Sequence, residues 1–84
     1  MARFLVENSG KKQLTVAIEP WASVEVLAPG GIAYFEYSSP GEIEFSVRDD
    51  GSVVVGVITD HVKVSANGAE KEFGNLSSKF DVTI

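Results

Sequence analysis

The chain has no cysteine, one histidine, one methionine and one tryptophan in 84 residues. Without cysteine it forms no disulfide, offers no thiolate to a metal and has no cysteine nucleophile. A lone histidine is too little for the nitrogen-rich ligand sets of transition-metal sites. Basic residues are scarce: seven Lys and Arg stand against twelve Asp and Glu, giving a net charge of −5 and a pI near 4.6. Only Lys11 and Lys12 are adjacent. Nucleic acid and anionic membranes both need clustered cations, so neither is an expected partner. No apolar run approaches the roughly 20 residues of a membrane helix. The N-terminus lacks a charged segment followed by an apolar one, so no signal peptide is expected and the expected location is cytoplasmic. No stretch carries a helical period, and there is no internal repeat or low-complexity tract.

What is present is alternation broken by turn residues. Apolar residues make up 44% of the chain and charged residues 23%, a balance that argues against disorder and for one globular domain over residues 1–84. Residues 3–7 alternate around Phe4 and Val6. Residues 13–19 alternate around Leu14, Val16 and Ile18. The turn-rich residues 8–12 between them suggest an N-terminal hairpin pairing Val6 with Leu14 and Phe4 with Val16. Pro20 lacks the N–H a ladder requires and ends the second run. Residues 23–27 alternate again, with Val24 and Val26 assigned inward. Ala28-Pro29-Gly30-Gly31 reads as a turn with Pro pre-set and Gly free to take positive φ. Residues 32–37 form an aromatic strand with Ile32, Tyr34 and Glu36 on one face and Ala33, Phe35 and Tyr37 on the other.

Residues 42–59 read as the central hairpin. Asp50-Gly51 favours a two-residue type I′ turn, because both central positions need positive φ. That turn pairs Val47 with Val54, Phe45 with Gly56 and Ile43 with Ile58, making these the core face. It turns Val53, Val55 and Val57 to the other side, where they need a cover from this chain or from a second copy. Asn67-Gly68 marks a further hairpin by the same logic, with Val62, Val64, Ala66 and Phe73 on one face and Lys63 opposite Glu72. Residues 79–84 alternate around Phe80, Val82 and Ile84. Seven or eight short strands at this spacing indicate an all-β fold. A small antiparallel β-sandwich is expected, with an SH3- or Sm-like barrel as the alternative.

The run Leu14-Thr15-Val16-Ala17-Ile18-Glu19-Pro20-Trp21, followed by Ala28-Pro29-Gly30, resembles a group of small bacterial β-domain proteins of unassigned function. In these a strand ends in Glu-Pro-Trp-Gly and a Pro-Pro-Gly turn follows. This chain has Ala22 in place of that Gly and Ala28 in place of the first Pro. The resemblance implies a small β-domain and no particular activity.

Candidate chemistry is sparse. Glu19 beside Trp21, with Tyr34 and Tyr37, is the candidate ligand-binding set, an aromatic patch suited to a sugar or a partner's side chain. The competing reading has Trp21 plugging the end of the core. Asp60 and His61 are adjacent, and neighbouring strand residues point to opposite faces, so they do not converge. Asp49-Asp50-Gly51 lacks the spacing of a calcium loop and fits a turn. No serine has a nucleophile-elbow context. Glu42 and Glu44 share a polar strand face with Arg48. No catalytic residue, metal ligand or cofactor is therefore assigned, and the chain is expected not to be an enzyme. The expectation is a module for self-association or protein–protein interaction through Val53, Val55, Val57 and Phe35. The alternatives are a small-ligand or carbohydrate-binding module and a subunit of a larger bacterial or phage assembly, joined through an edge strand at residues 3–7 or 79–84.

Overall fold

The computed structural model describes residues 2–38 and 41–74. Eight strands follow in chain order: β1 (Ala2–Glu7), β2 (Leu14–Glu19), β3 (Ser23–Leu27), β4 (Ile32–Tyr37), β5 (Glu42–Val47), β6 (Val53–Ile58), β7 (Val62–Ala66) and β8 (Ala69–Phe73). They form two four-stranded sheets, ordered β1-β4-β7-β8 and β3-β2-β6-β5. The fold is a small all-β sandwich. Every pairing is antiparallel except β2 with β6, which is parallel. The expected strand at residues 79–84 lies outside the described residues.

Both sheets bury one face. Val16, Ile18, Leu27, Phe35, Val55, Val57, Val62 and Val64 are the largest side chains removed from water. Each contributes about 1.5–3 kcal/mol by that removal. Phe4 of β1 stacks on Phe35 of β4, with centroids 4.4 Å apart and planes 10° from parallel. The sheets align with β3 over β8 and β5 over β1. Lys71 of β8 reaches Glu25 of β3, and Phe45 of β5 meets Phe4 of β1 edge-on at 5.4 Å.

The β7–β8 hairpin matches its sequence reading. Ala66 pairs with Ala69, Val64 with Lys71 and Val62 with Phe73, and Asn67 and Gly68 take φ of 54° and 76°, as a type I′ turn requires. The turn at Ala28–Gly31 also forms: the Gly31 N–H donates to the Ala28 carbonyl at 2.7 Å, and Gly30 has φ of 83°.

Three expectations are corrected. First, β1 and β2 do not form a hairpin. β1 pairs with β4, setting Phe4 opposite Phe35 and Val6 opposite Ala33. Asn8 explains the departure of the chain after β1. Its N–H donates to the Gly31 carbonyl and its own carbonyl accepts from the Gly30 N–H, which fastens the end of β1 to the start of β4. Second, Val24 and Val26 face outward and are exposed; Glu25 and Leu27 are the buried residues of β3.

Third, the Asp50-Gly51 bend is not a two-residue turn. The Gly51 N–H donates to the Arg48 carbonyl and the Arg48 N–H donates to the Ser52 carbonyl, both at 2.9 Å. The loop is therefore Asp49-Asp50-Gly51, and Gly51 alone takes positive φ, 87°. This is the arrangement in which a turn is followed by one left-handed residue. The pairing slips by one residue. Val47 faces Val53, Phe45 faces Val55 and Ile43 faces Val57, while Glu44 faces Gly56 and Glu42 faces Ile58. Because side chains alternate, a one-residue slip reverses both faces of β6. Val53, Val55 and Val57 turn inward, and Val54, Gly56 and Ile58 turn outward. The opposite sheet of the same chain supplies the cover these valines need, so no second copy is required for them.

Candidate functional site

The flanks of the sandwich differ in chemistry. Along β3 and β8 a polar clip joins the sheets. Lys71 Nζ lies 2.7 Å from Glu25 Oε2 and donates to Ser23 Oγ at 3.4 Å. Asn67 Nδ2 donates to Glu25 Oε1 at 3.3 Å and to the Val26 carbonyl at 3.1 Å. The buried Glu25 carboxylate is thus satisfied by two residues from the other sheet, as a buried charge requires. The alternation pattern gave no sign of this clip, since it placed Glu25 on the solvent side.

Along β1 and β5 no such clip spans the gap among the described residues. Phe45 is 57% exposed and Val47 74% exposed, although both sit on the inner face of β5. Only Ile43 of that strand is half-buried. Among the described residues β5 pairs with β6 alone and ends the sheet. Its inner face extends the aromatic cluster of Phe4, Phe35 and Tyr37 to the surface. The outer face carries Glu42 and Glu44, with exposed Ile58 opposite Glu42. Glu42 and Glu44 are both exposed on this strand.

The expected interface residues lie elsewhere. Phe35, Val55 and Val57 are completely buried in the chain's own core, and Val53 packs against them. The expected ligand-binding set is not brought together either. Trp21 is half-buried and stacks on Phe73, with centroids 4.9 Å apart and planes 26° from parallel. Glu19, half-buried at the end of β2, opens with Pro20 and Ile58 on a shallow groove of about 200 Å³ that Trp21 does not line. Tyr37 is half-buried on the inner face of β4, edge-on to Phe4 at 5.9 Å. Tyr34 is exposed on the outer face of the same strand. It lines a groove of about 260 Å³ with Ile32, Ser65, Asn67 and Glu70, and another of about 220 Å³ with Arg3, Phe4 and Leu5.

Several ionisable groups have structural partners. His61 Nε2 lies 3.7 Å from a Glu72 carboxylate oxygen. Lys63 Nζ lies 3.4 Å from Glu36 Oε1, and that hydrogen bond, with the charges of Glu70 and Glu36, holds its ammonium above the ordinary value. Lys63 faces Glu72 in the ladder as expected, yet its ion pair runs across to β4. Asp50 Oδ1 accepts from the Ser52 hydroxyl at 2.7 Å and the Ser52 N–H at 2.9 Å. These bonds hold its carboxyl below the ordinary value of 3.8. Among the described residues no three His, Asp or Glu side chains are grouped to hold a metal ion, and no helix is long and apolar enough to cross a membrane.

Comparison with protein-family models, with curated proteins and with solved structures finds no match to this chain.

Proposed function

We propose that this chain is a non-catalytic β module whose work is protein–protein association, and that the β5 flank is the surface it uses. The observation that carries the reading is the exposure of Phe45 and Val47 on the inner face of an edge strand. Among the described residues nothing lids the core on the side that these side chains border. A contact there removes apolar surface from water at about 25 cal/mol per Å², and the edge of β5, which no other described strand pairs, offers main-chain hydrogen bonds to an extended partner. The expected result is that Phe45→Ser and Val47→Ser weaken association while leaving the fold intact. The test compares native size by sedimentation, for the purified chain and for the chain in an extract of its source cells. A wild-type chain that travels alone under both conditions overturns the reading.

A second reading rests on Tyr34. Its exposed ring, beside Ser65 and Glu70 in one groove, suits a small polyhydroxylated ligand that stacks on an aromatic face and accepts or donates at its rim. Tyr34→Ala would then abolish amide shift changes seen by NMR on titration with oligosaccharides.

A further inference from the structure

We infer that the partner on the β5 flank is a second copy of this chain, joined across a two-fold axis that passes beside Phe45. This inference rests on the association reading and specifies its partner. The strand direction, the phase of its free hydrogen-bonding groups and its charges all fit it.

The phase follows from the loop. The Arg48 N–H donates to the Ser52 carbonyl, so Arg48 and Ser52 form a hydrogen-bonded pair. In an antiparallel ladder such pairs alternate with open ones. Ser46, Glu44 and Glu42 therefore spend their backbone groups on β6. Ile43, Phe45 and Val47 direct theirs to the edge that no other described strand pairs. Two β5 strands running antiparallel with Phe45 opposite Phe45 bring Ile43 of each copy opposite Val47 of the other. All three outward-directed residues of both copies then pair. The inner stripe Ile43, Phe45 and Val47 becomes continuous with its symmetry mate and closes the open side of both cores.

Charge and apolar pairing together select this register. Glu42 and Glu44 on an edge strand ordinarily discourage pairing between copies. With Phe45 on the axis, however, Glu42 of one copy meets Arg48 of the other, and Glu44 meets Ser46. Sliding the copies by one pair in one direction sets Glu44 against Glu44. Sliding them the other way also sets Glu44 against Arg48 in both copies, but it sets Ile43 against Asp49 and keeps only two apolar pairs. Only the Phe45-centred register joins three apolar pairs and two opposite-charge pairs without a like-charge clash. The contact is isologous, as a two-fold demands. A single shared strand edge buries less than a standard interface, so the dimer is weak and concentration-dependent.

The test has two arms. In the first, dimer affinity is measured by sedimentation equilibrium for wild type, Glu42→Arg, Arg48→Glu and the double exchange. Each single change should weaken the dimer roughly three- to tenfold, since it turns two exposed attractive pairs into repulsive ones. The double exchange should restore it, and a mixture of the two single variants should form a heterodimer. In the second arm, Glu44→Cys and Ser46→Cys are made separately; the chain contains no other cysteine. Mixed and oxidised, the two should cross-link far more than either alone, because Glu44 and Ser46 face each other across the axis. A dimer insensitive to both arms overturns the Phe45-centred pairing and leaves the association reading standing. A purified chain that is monomeric at the highest concentration, yet held by another protein in extract through Phe45, overturns the second-copy inference alone. A chain that is monomeric everywhere overturns both.

Discussion

Asn8 shows how much one side chain decides in a domain of this size. It is buried; its amide group donates to the Lys12 and Leu27 carbonyls at 2.7 and 2.9 Å, and its oxygen accepts from the Gly10 N–H. It organises its own loop while tying that loop to the end of β3. Ala22 makes a different point. Its φ of 56° lies where glycine is at ease. Asp50 gives a measurable consequence. Its carboxyl is held below 3.8 chiefly by the Ser52 hydroxyl and N–H. A depressed folded value stabilises the fold above the unfolded value, and that stabilisation is lost as pH falls through the folded one. Urea unfolding of wild type and Asp50→Asn should therefore differ near neutral pH. The difference should close as pH falls below the ordinary carboxylate value of 3.8; a gap that stays constant as the carboxyl is protonated would show that the carboxylate is not the source.

At the scale of elements, the two Gly-containing hairpins separate what local chemistry settles from what it does not. Asn67-Gly68 puts both turn residues at positive φ, and the turn alone fixes the register of β7 with β8. Asp50-Gly51 fits two loops. It serves as a two-residue turn or as the last two positions of a three-residue loop ending in left-handed Gly, and the registers differ by one residue. Packing decides between them. The observed register gathers Ile43, Phe45, Val47, Val53, Val55 and Val57 on one face; the alternative leaves three valines outside and a glycine inside. Deletion of Asp49 tests this. The remaining Asp50-Gly51 fits between Arg48 and Ser52 as a two-residue turn with the strand register unchanged. Stability should stay within about 1 kcal/mol of wild type, and Hα–Hα contacts between Val47 and Val53 should persist in NMR spectra. Loss of those contacts, with Val47 moved opposite Ser52 as a three-residue loop Arg48-Asp50-Gly51 demands, would mean that the loop, not the core, governs register.

For the whole molecule, strand partners and the two unlike flanks come from long-range packing. Strand positions were legible because alternation needs only local residues: residues 32–37 and the β7–β8 hairpin stand where the sequence implies, with the expected faces. The N-terminal pairing was not legible, because the same apolar phase in residues 3–7 serves equally well against β2 or β4. The inward side of β3 was misjudged for a related reason. Glu25 is buried only because Lys71 and Asn67 arrive from 42 to 46 residues away. The candidate ligand set is divided for the same reason: Trp21 stacks on Phe73, Tyr37 meets Phe4 on the inner face of β4 and Tyr34 lies on the outer face. Phe35 tests how far the fold depends on its centre. It is fully buried and stacked on Phe4, so Phe35→Ala should cost about 3–5 kcal/mol. That is a large fraction of the roughly 5–15 kcal/mol available to a domain. A calorimetric scan should show the cooperative transition lost or far lowered, with Phe35→Leu intermediate.

By itself, the sequence determined that this chain is built of short strands joined by specific turns, that it is acidic, and that cysteine chemistry is closed to it. These follow from composition, from the two-residue period of extended backbone and from the φ preferences of Gly, Asn and Pro. Only the tertiary structure decided which strands are neighbours, which face of β6 is dry and which flank is left apolar. Alternation has two phases of equal local merit, and the choice between them is made by burial against residues far away in the chain.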